Sequence, residues 1–300
     1  MHEELQSLRI LINDMLLNNN LHIVVRTCDR GSIQSKRIVN KTECTLRCLN
    51  SVFRNIKDFE NVDVTIFDDR SSQHLKNGIH GMSEKSGKKV NIQFIGERNT
   101  EGQSPHVQSR YSVKLAYDYI YTLPDEDYVY IMDDDQLQHD NAIMRMINAW
   151  EYLSSISPEH DIGIFPQCFV QLFPYPGNRF AHAYVRPCHV IPTPVGFYRT
   201  TWYTQETFML KSKVFKKYKD IFDTLQTTGS DPAIWEGNTI SEVWQKPDFM
   251  MFMPLQPDLM HMSVAGDKPF YWSNEDVINL WERNKNPWSL PENSYLKLDV

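Results

Sequence analysis

Three carboxylates stand in a row, Asp133-Asp134-Asp135, directly after the apolar run Tyr128-Val129-Tyr130-Ile131-Met132. A short run of aromatic and β-branched residues belongs in a sheet, whereas adjacent acids repel one another and resist burial. Carboxylates carried to a sheet edge by a buried strand call for a cation, and oxygen ligands there suit a divalent metal facing phosphate. The plainer alternative is a solvated acidic loop. Two earlier strand-like runs also end in polar clusters. Leu21–Val25 leads into Arg26-Thr27-Cys28-Asp29-Arg30-Gly31, and Val62–Phe67 leads into Asp68-Asp69-Arg70-Ser71-Ser72. One acidic strand end is ordinary; three on one edge predict a polar ligand site.

Periodicity supplies the elements that would bring these ends together. A helix is predicted from about Ser35 to Ile56, with Leu49, Val52, Phe53 and Ile56 on one face. Residues 71–89, polar and containing Gly78, Gly81 and Gly87, read as a loop or a short helix. Val90–Ile95 is a third strand, a helix with Val113, Ala116, Tyr117 and Ile120 on its stripe spans about 106–122, and another covers about 140–155. Such alternation predicts an α/β fold with an open, mostly parallel, Rossmann-like central sheet flanked by helices. Its ligand would lie beyond the carboxyl ends of the strands, where strand order reverses. Residues 1–20 predict an amphipathic helix, and residues 21–160 form the half that holds the polar strand ends. Beyond it Pro166, Pro174, Pro176, Pro187, Pro192 and Pro194 disfavour long helices. Residues 161–300 therefore read as a loop-rich half of the same compact domain.

With 300 residues, 41% of them apolar, the chain can bury a sizeable core. A net charge of -7 argues against a general nucleic-acid coat. There is no run of about 18 apolar residues, so no integral membrane segment is expected, and Met1–Asn20 lacks the apolar centre of a signal peptide. Five cysteines contain no CxxC pair, and Cys44 and Cys48, four apart, read as buried free thiols. That points to a reducing compartment and a cytoplasmic protein. The sequon Asn40-Lys41-Thr42 carries little weight without a secretory signal. Gly81–Lys89 fails as a P-loop because five residues separate Gly81 from Gly87 and Lys89 follows Lys88. Neither GxGxxG nor GxSxG occurs, so a dinucleotide oxidoreductase has no support in the sequence and no serine-hydrolase signature stands out.

Taken together, Val24-Val25-Arg26-Thr27-Cys28-Asp29-Arg30, Ile66-Phe67-Asp68-Asp69 and Tyr130-Ile131-Met132-Asp133-Asp134-Asp135 resemble the ordered landmarks of the GT-A glycosyltransferases. The resemblance spans residues 20–140 and is looser beyond. It implies a GT-A-like fold and transfer of a sugar from a nucleoside-diphosphate donor to a hydroxyl. Asp135 would ligate the metal directly, Asp133 would reach the ribose or a metal-bound water, and Asp134 would turn aside to cap the next segment. Thr27, Asp29, Arg30 and Asp69 would bind base and ribose. Arg98 or Arg110 would pair with phosphate, a geometry that guanidinium suits, unless each forms only a surface ion pair. Downstream, Pro254-Leu255-Gln256-Pro257-Asp258-Leu259-Met260-His261 resembles the late segment whose histidine completes the metal site. That implies metal ligands Asp135, Asp133 and His261, a mixed set that favours Mn²⁺ and also admits Mg²⁺. Otherwise His261 is a packed core residue.

An inverting transfer needs a general base for the acceptor hydroxyl. Glu236 is the first candidate and Asp231 the second, on either side of Trp235; Glu206, near Trp202 and Tyr203, is the third. As acids before a helix, the first two also fit a role in complementing its dipole. The lysines of the run Lys211–Lys219 read as a solvated helix face or, extended by Arg179, Arg186 and Arg199, as contacts to a polyanionic acceptor. The expected acceptor is a glycan or a hydroxylated DNA base of the phage-modified type. Two other functions fit the same strand ends. One is a metal-dependent nucleotidyltransferase, although Arg30-Gly31 is all that stands for its glycine-rich basic loop. The other is a non-catalytic carbohydrate-binding protein that retains the fold.

Overall fold

A computed structural model describes residues 19–29, 40–96, 105–167, 188–202, 204, 207–227, 236–262 and 272–290. The elements in chain order are β1 (Leu21–Thr27), α1 (Lys41–Ile56), β2 (Val62–Asp69), α2 (Gln73–Ser86), β3 (Lys89–Ile95), α3 (Pro105–Ile120), β4 (Tyr128–Asp133), β5 (Gln136–Gln138), α4 (Ala142–Ile156) and β6 (Asp161–Ile164). There follow β7 (Val190–Thr193), β8 (Gly196–Thr201), β9 (Phe208–Lys211), α5 (Ser212–Lys217), α6 (Lys219–Thr227), α7 (Glu236–Trp244), β10 (Phe249–Pro254), β11 (Leu259–His261) and α8 (Asn274–Arg283).

Successive strand residues point to opposite faces, and both faces of this sheet are apolar. From β1 and β4, Leu21, Ile23, Val25, Tyr128, Tyr130 and Met132 join one core with α1, α2 and α4. Val24, Val129 and Ile131 join the other, with α3, α5 and α7. The sheet is therefore sandwiched between helices, as the alternation predicted. Its strand order is β3-β2-β1-β4-β9-β6-β10-β8-β7. Only β9 and β8 run against the common direction, by their antiparallel pairing to β4, β6, β10 and β7. The short strands expected after residue 160 thus extend the same sheet. A separate antiparallel ribbon of β5 and β11 lies over a third apolar cluster that contains Leu137, Met260, Cys44, Cys48 and Trp281.

Two local expectations change. Helix α1 begins at Lys41 and not near Ser35, because Asn40 is extended and its side chain accepts from the Glu43 N–H at 3.0 Å. Residues 73–86 form a regular helix despite their glycines. A Cβ at Gly78 would run into Leu46, and one at Gly81 into the Trp288 ring. These glycines mark close approaches, and the packing they permit offsets the roughly 1 kcal/mol each costs a helix. Gly87, at φ 64°, ends the helix in the left-handed conformation. The predicted N-terminal helix lies outside the described residues. No described helix is long and apolar enough to cross a membrane.

Candidate functional site

Strand order reverses at β1, which has β2 on one side and β4 on the other, both parallel to it. The chain steps outward through β2 and β3 and returns at β4, so the carboxyl ends of β1 and β4 flank a switch-point crevice. Register sets the three polar runs side by side there, Thr27 opposite Asp68 and Arg26 opposite Asp133.

The three acids of the triplet meet different surroundings. Arg26 Nη2 donates to Asp133 Oδ1 at 2.6 Å. Asp134 turns inward: Lys41 Nζ lies 2.5 Å from Oδ1, while the Cys28 N–H and Thr45 Oγ1 donate to Oδ2 at 2.9 and 3.0 Å. Burial pushes the Asp134 carboxyl up in pKa, and the Lys41 ammonium opposes that shift. Asp135 faces the ribbon. His261 Nε2 lies 3.2 Å from its Oδ2, Gln136 Nε2 donates to Oδ1 at 3.4 Å, and the Met262 N–H donates to its backbone carbonyl at 2.8 Å. Lys41 Nζ stands 3.8 Å from the same Oδ2.

The site therefore carries two internal cations against three carboxylates. Asp133 is the most exposed of the three acids, while the Asp135 carboxylate and the His261 imidazole, each largely buried, would together make a donor set that fits Mn²⁺. Among the described residues no three His, Cys, Asp or Glu side chains converge as a metal cage. An ion held there would need oxygen atoms from water or a ligand to complete its coordination.

The other expected donor-binding residues are drawn partly into the scaffold. Thr27 Oγ1 donates to Asp68 at 3.0 Å, and burial pushes the Asp68 carboxyl up. Asp29 accepts from Thr42 Oγ1 and from the Ser72 N–H, both at 2.8 Å, tying the end of β1 to the starts of α1 and α2. Asp69 accepts from Arg70 Nε at 2.8 Å, with Arg70 itself at φ 59°. Arg110 is half-buried on α3. Arg30, Arg98, Asp231, Glu206, Arg179 and Arg186 lie outside the described residues, as does the side chain of Glu236, the first residue of α7. Thr207, next to Glu206, accepts the Asp133 N–H through Oγ1 at 3.4 Å.

The strand pair that carries His261 is anchored by a buried acid. Asp258 Oδ1 lies 2.8 Å from Arg145 Nε, and Tyr198 donates to its Oδ2 at 3.4 Å. Burial pushes this carboxyl up to about 7, and Arg145 and Tyr198 oppose it only in part. A raised carboxyl pKa means that the folded state keeps its proton longer than the unfolded one. Stability should therefore fall as pH rises from about 4 to about 7, by at most about 4 kcal/mol from this group. Urea melts across that range should show Asp258→Asn without this slope; parallel curves for the two proteins would count against it.

The lysine run lies at the far edge of the sheet. Lys211 sits opposite Tyr128, the first residue of β4, whereas Asp133 is its last. Lys211 is buried, Nζ 3.3 Å from the Tyr128 ring centre. Lys213 pairs with Glu126, Lys216 with Asp125, Lys217 with Asp161 and Asp248, and Lys219 with Asp223.

Lys41, Arg26 and Gln136 were not singled out from the sequence, although two of them carried a signal. A lysine in the first turn opposes the helix dipole, and an arginine inside an apolar strand needs a buried partner.

No protein-family model and no curated protein matches the sequence. Solved structures overlap the fold at low identity. Residues 1–349 of TarS from S. aureus align at 12% identity with a TM-score of 0.43, over 78% of this chain and 60% of that one. A mannosyltransferase, PcManGT from Pyrobaculum calidifontis, in complex with GDP-Man and Mn²⁺, aligns at 11% and 0.43, over 82% and 64%. A putative glucose-1-phosphate thymidylyltransferase from Bacillus anthracis, in complex with a sucrose, aligns at 8% and 0.46, over 92% and 98%. The chain thus spans less than two thirds of the first two.

Proposed function

We propose that this protein is a metal-assisted glycosyltransferase that moves a sugar from a nucleoside-diphosphate donor to a hydroxyl acceptor. The observation that carries this reading is the Asp135–His261 contact, 3.2 Å across and 126 residues apart in sequence, at the switch point of an α/β sheet. Sequence-distant oxygen and nitrogen donors meeting beyond strand ends are suited to a phosphate-bound cation. A divalent ion there supplies neutralisation of the charge that develops on the diphosphate leaving group. The chain's own part is positioning. Arg26 fixes Asp133 toward the crevice, Asp134 and Lys41 hold the turn rigid, and Asp29 and Asp69 shape the wall where base and ribose would lie. Inversion with Glu236 as base, and Asp231 or Glu206 as substitutes, is part of the same reading.

A glycan suits the acceptor better than DNA does. Lys213, Lys216, Lys217 and Lys219 pair with acids, and the run begins at the sheet edge opposite the crevice. The thiols of Cys44 and Cys48 are free and buried, which supports a reducing, cytoplasmic setting.

A thermal-shift panel of sugar nucleotides with and without Mn²⁺ tests the proposal. A ligand at about a hundredfold above its Kd stabilises the fold by roughly 2.7 kcal/mol, or several degrees in Tm. The expected result is a shift that needs donor and Mn²⁺ together, followed by metal-dependent release of free sugar. If no nucleoside diphosphate shifts the protein in Mn²⁺, the transferase reading is wrong.

A further inference from the structure

The Asp135 carboxylate is held from two sides, by His261 and by Gln136. Gln136 and His261 are direct partners in the antiparallel β5–β11 pairing. Their side chains therefore leave the same face of the ribbon, with Cβ atoms about 5 Å apart. The opposite face, with Leu137 and Met260, is committed to the apolar cluster around Cys44 and Cys48. Gln136 is only 2% exposed, and its Oε1 has no hydrogen-bond partner among the described residues. Leaving such an acceptor buried and unpaired is unfavourable, because it has given up water for nothing in return. Exchanging the two amide atoms gives no relief, because it sets an oxygen against the Asp135 carboxylate and strands the nitrogen instead.

We infer that Gln136 is a third protein ligand of the cation held by Asp135 and His261, with Oε1 as the donor atom. This rests on the cation reading above. An amide oxygen is a hard, neutral ligand that Mn²⁺ and Mg²⁺ accept beside carboxylate. It completes an oxygen, nitrogen, oxygen set without adding charge to a patch that already holds three acids. It also gives the buried oxygen a partner.

Two variants separate a ligand from a residue that merely orients Asp135 through its N–H. Gln136→Glu keeps an oxygen and adds charge, so a ligand role predicts Mn²⁺ affinity higher by about tenfold. An orienting role predicts the reverse, since two carboxylates would then meet with no donor between them. Gln136→Leu loses both functions and should weaken Mn²⁺ about tenfold or more; Gln136→Met, closer in length, replaces it if the leucine variant fails to fold. The readout is loss of the free Mn²⁺ electron-paramagnetic-resonance signal on titrating the full chain without nucleotide, which is independent of turnover. Weaker binding by Gln136→Glu, or unchanged binding by the apolar variants, overturns the inference and leaves the Asp135–His261 reading standing. Absence of Mn²⁺ binding by the unsubstituted protein overturns both.

Discussion

Asp135→Asn is expected to remove Mn²⁺-dependent donor binding and to lower sugar transfer about a thousandfold, or about 4 kcal/mol of transition-state stabilisation. Unlike most substitutions of a buried acid, it should leave the fold intact. Asp135 stands next to buried Asp134 in a cluster of three carboxylates, and Lys41, which lies 2.5 Å from Asp134, is 3.8 Å from it. Removing one negative charge relieves repulsion within the cluster, while the amide can still bond to His261 and Gln136. Its backbone carbonyl still accepts the Met262 N–H. Function and stability are thereby separated at one residue. The check is a melt and a transfer assay on the same preparation. An Asn variant that keeps Mn²⁺-dependent turnover within threefold would falsify the assignment of Asp135 as the principal ligand. A variant that is inactive because it no longer folds would show that Asp135 is part of the scaffold.

How far the site could be read in advance depends on whether its determinants are local. The strands were legible because both faces of the sheet are buried, so Ile23–Val25 and Tyr128–Met132 appear as unbroken apolar runs. The convergence of the three polar ends followed from α/β alternation alone. Helix α2 was obscured because the fitness of Gly78 and Gly81 is set by Leu46 and Trp288, far away in sequence. Lys41 was passed over within a glycosylation-like triplet, since its meaning depends on a carboxylate 93 residues later. Gln136 escaped for a related reason. A neutral side chain beside three acids draws no attention until strand register sets it against His261. The divided roles of the triplet likewise needed neighbours, because identical residues differ here only in what surrounds them.

Lys41→Met is expected to give the largest loss of stability, about 3–5 kcal/mol at pH 7, by leaving the Asp134 carboxylate buried without its counter-charge. Burial alone would lower the Lys41 pKa, yet Asp134 and Asp135 outweigh it and hold the ammonium well above its ordinary value. A lysine whose folded pKa is raised contributes fully below its unfolded pKa of 10.5 and loses that contribution only as pH rises through the folded value. The whole effect is therefore present at neutral pH. Methionine preserves much of the lysine stem and its packing, so the loss reports chiefly on charge. The Cys28 N–H and Thr45 Oγ1 remain as donors to Asp134, which limits the damage without replacing a cation. Asp134→Asn alone should also destabilise, because it takes away the nearer of the two carboxylates that hold the buried ammonium charged. Joined to Lys41→Met, it should recover most of the loss, giving a coupling energy of several kcal/mol in a double-mutant cycle read by urea unfolding. Additive losses would mean that the two side chains act separately. Strong coupling would mean that an internal ammonium already balances the deepest of the three acids, leaving the divalent ion to bind chiefly through Asp135.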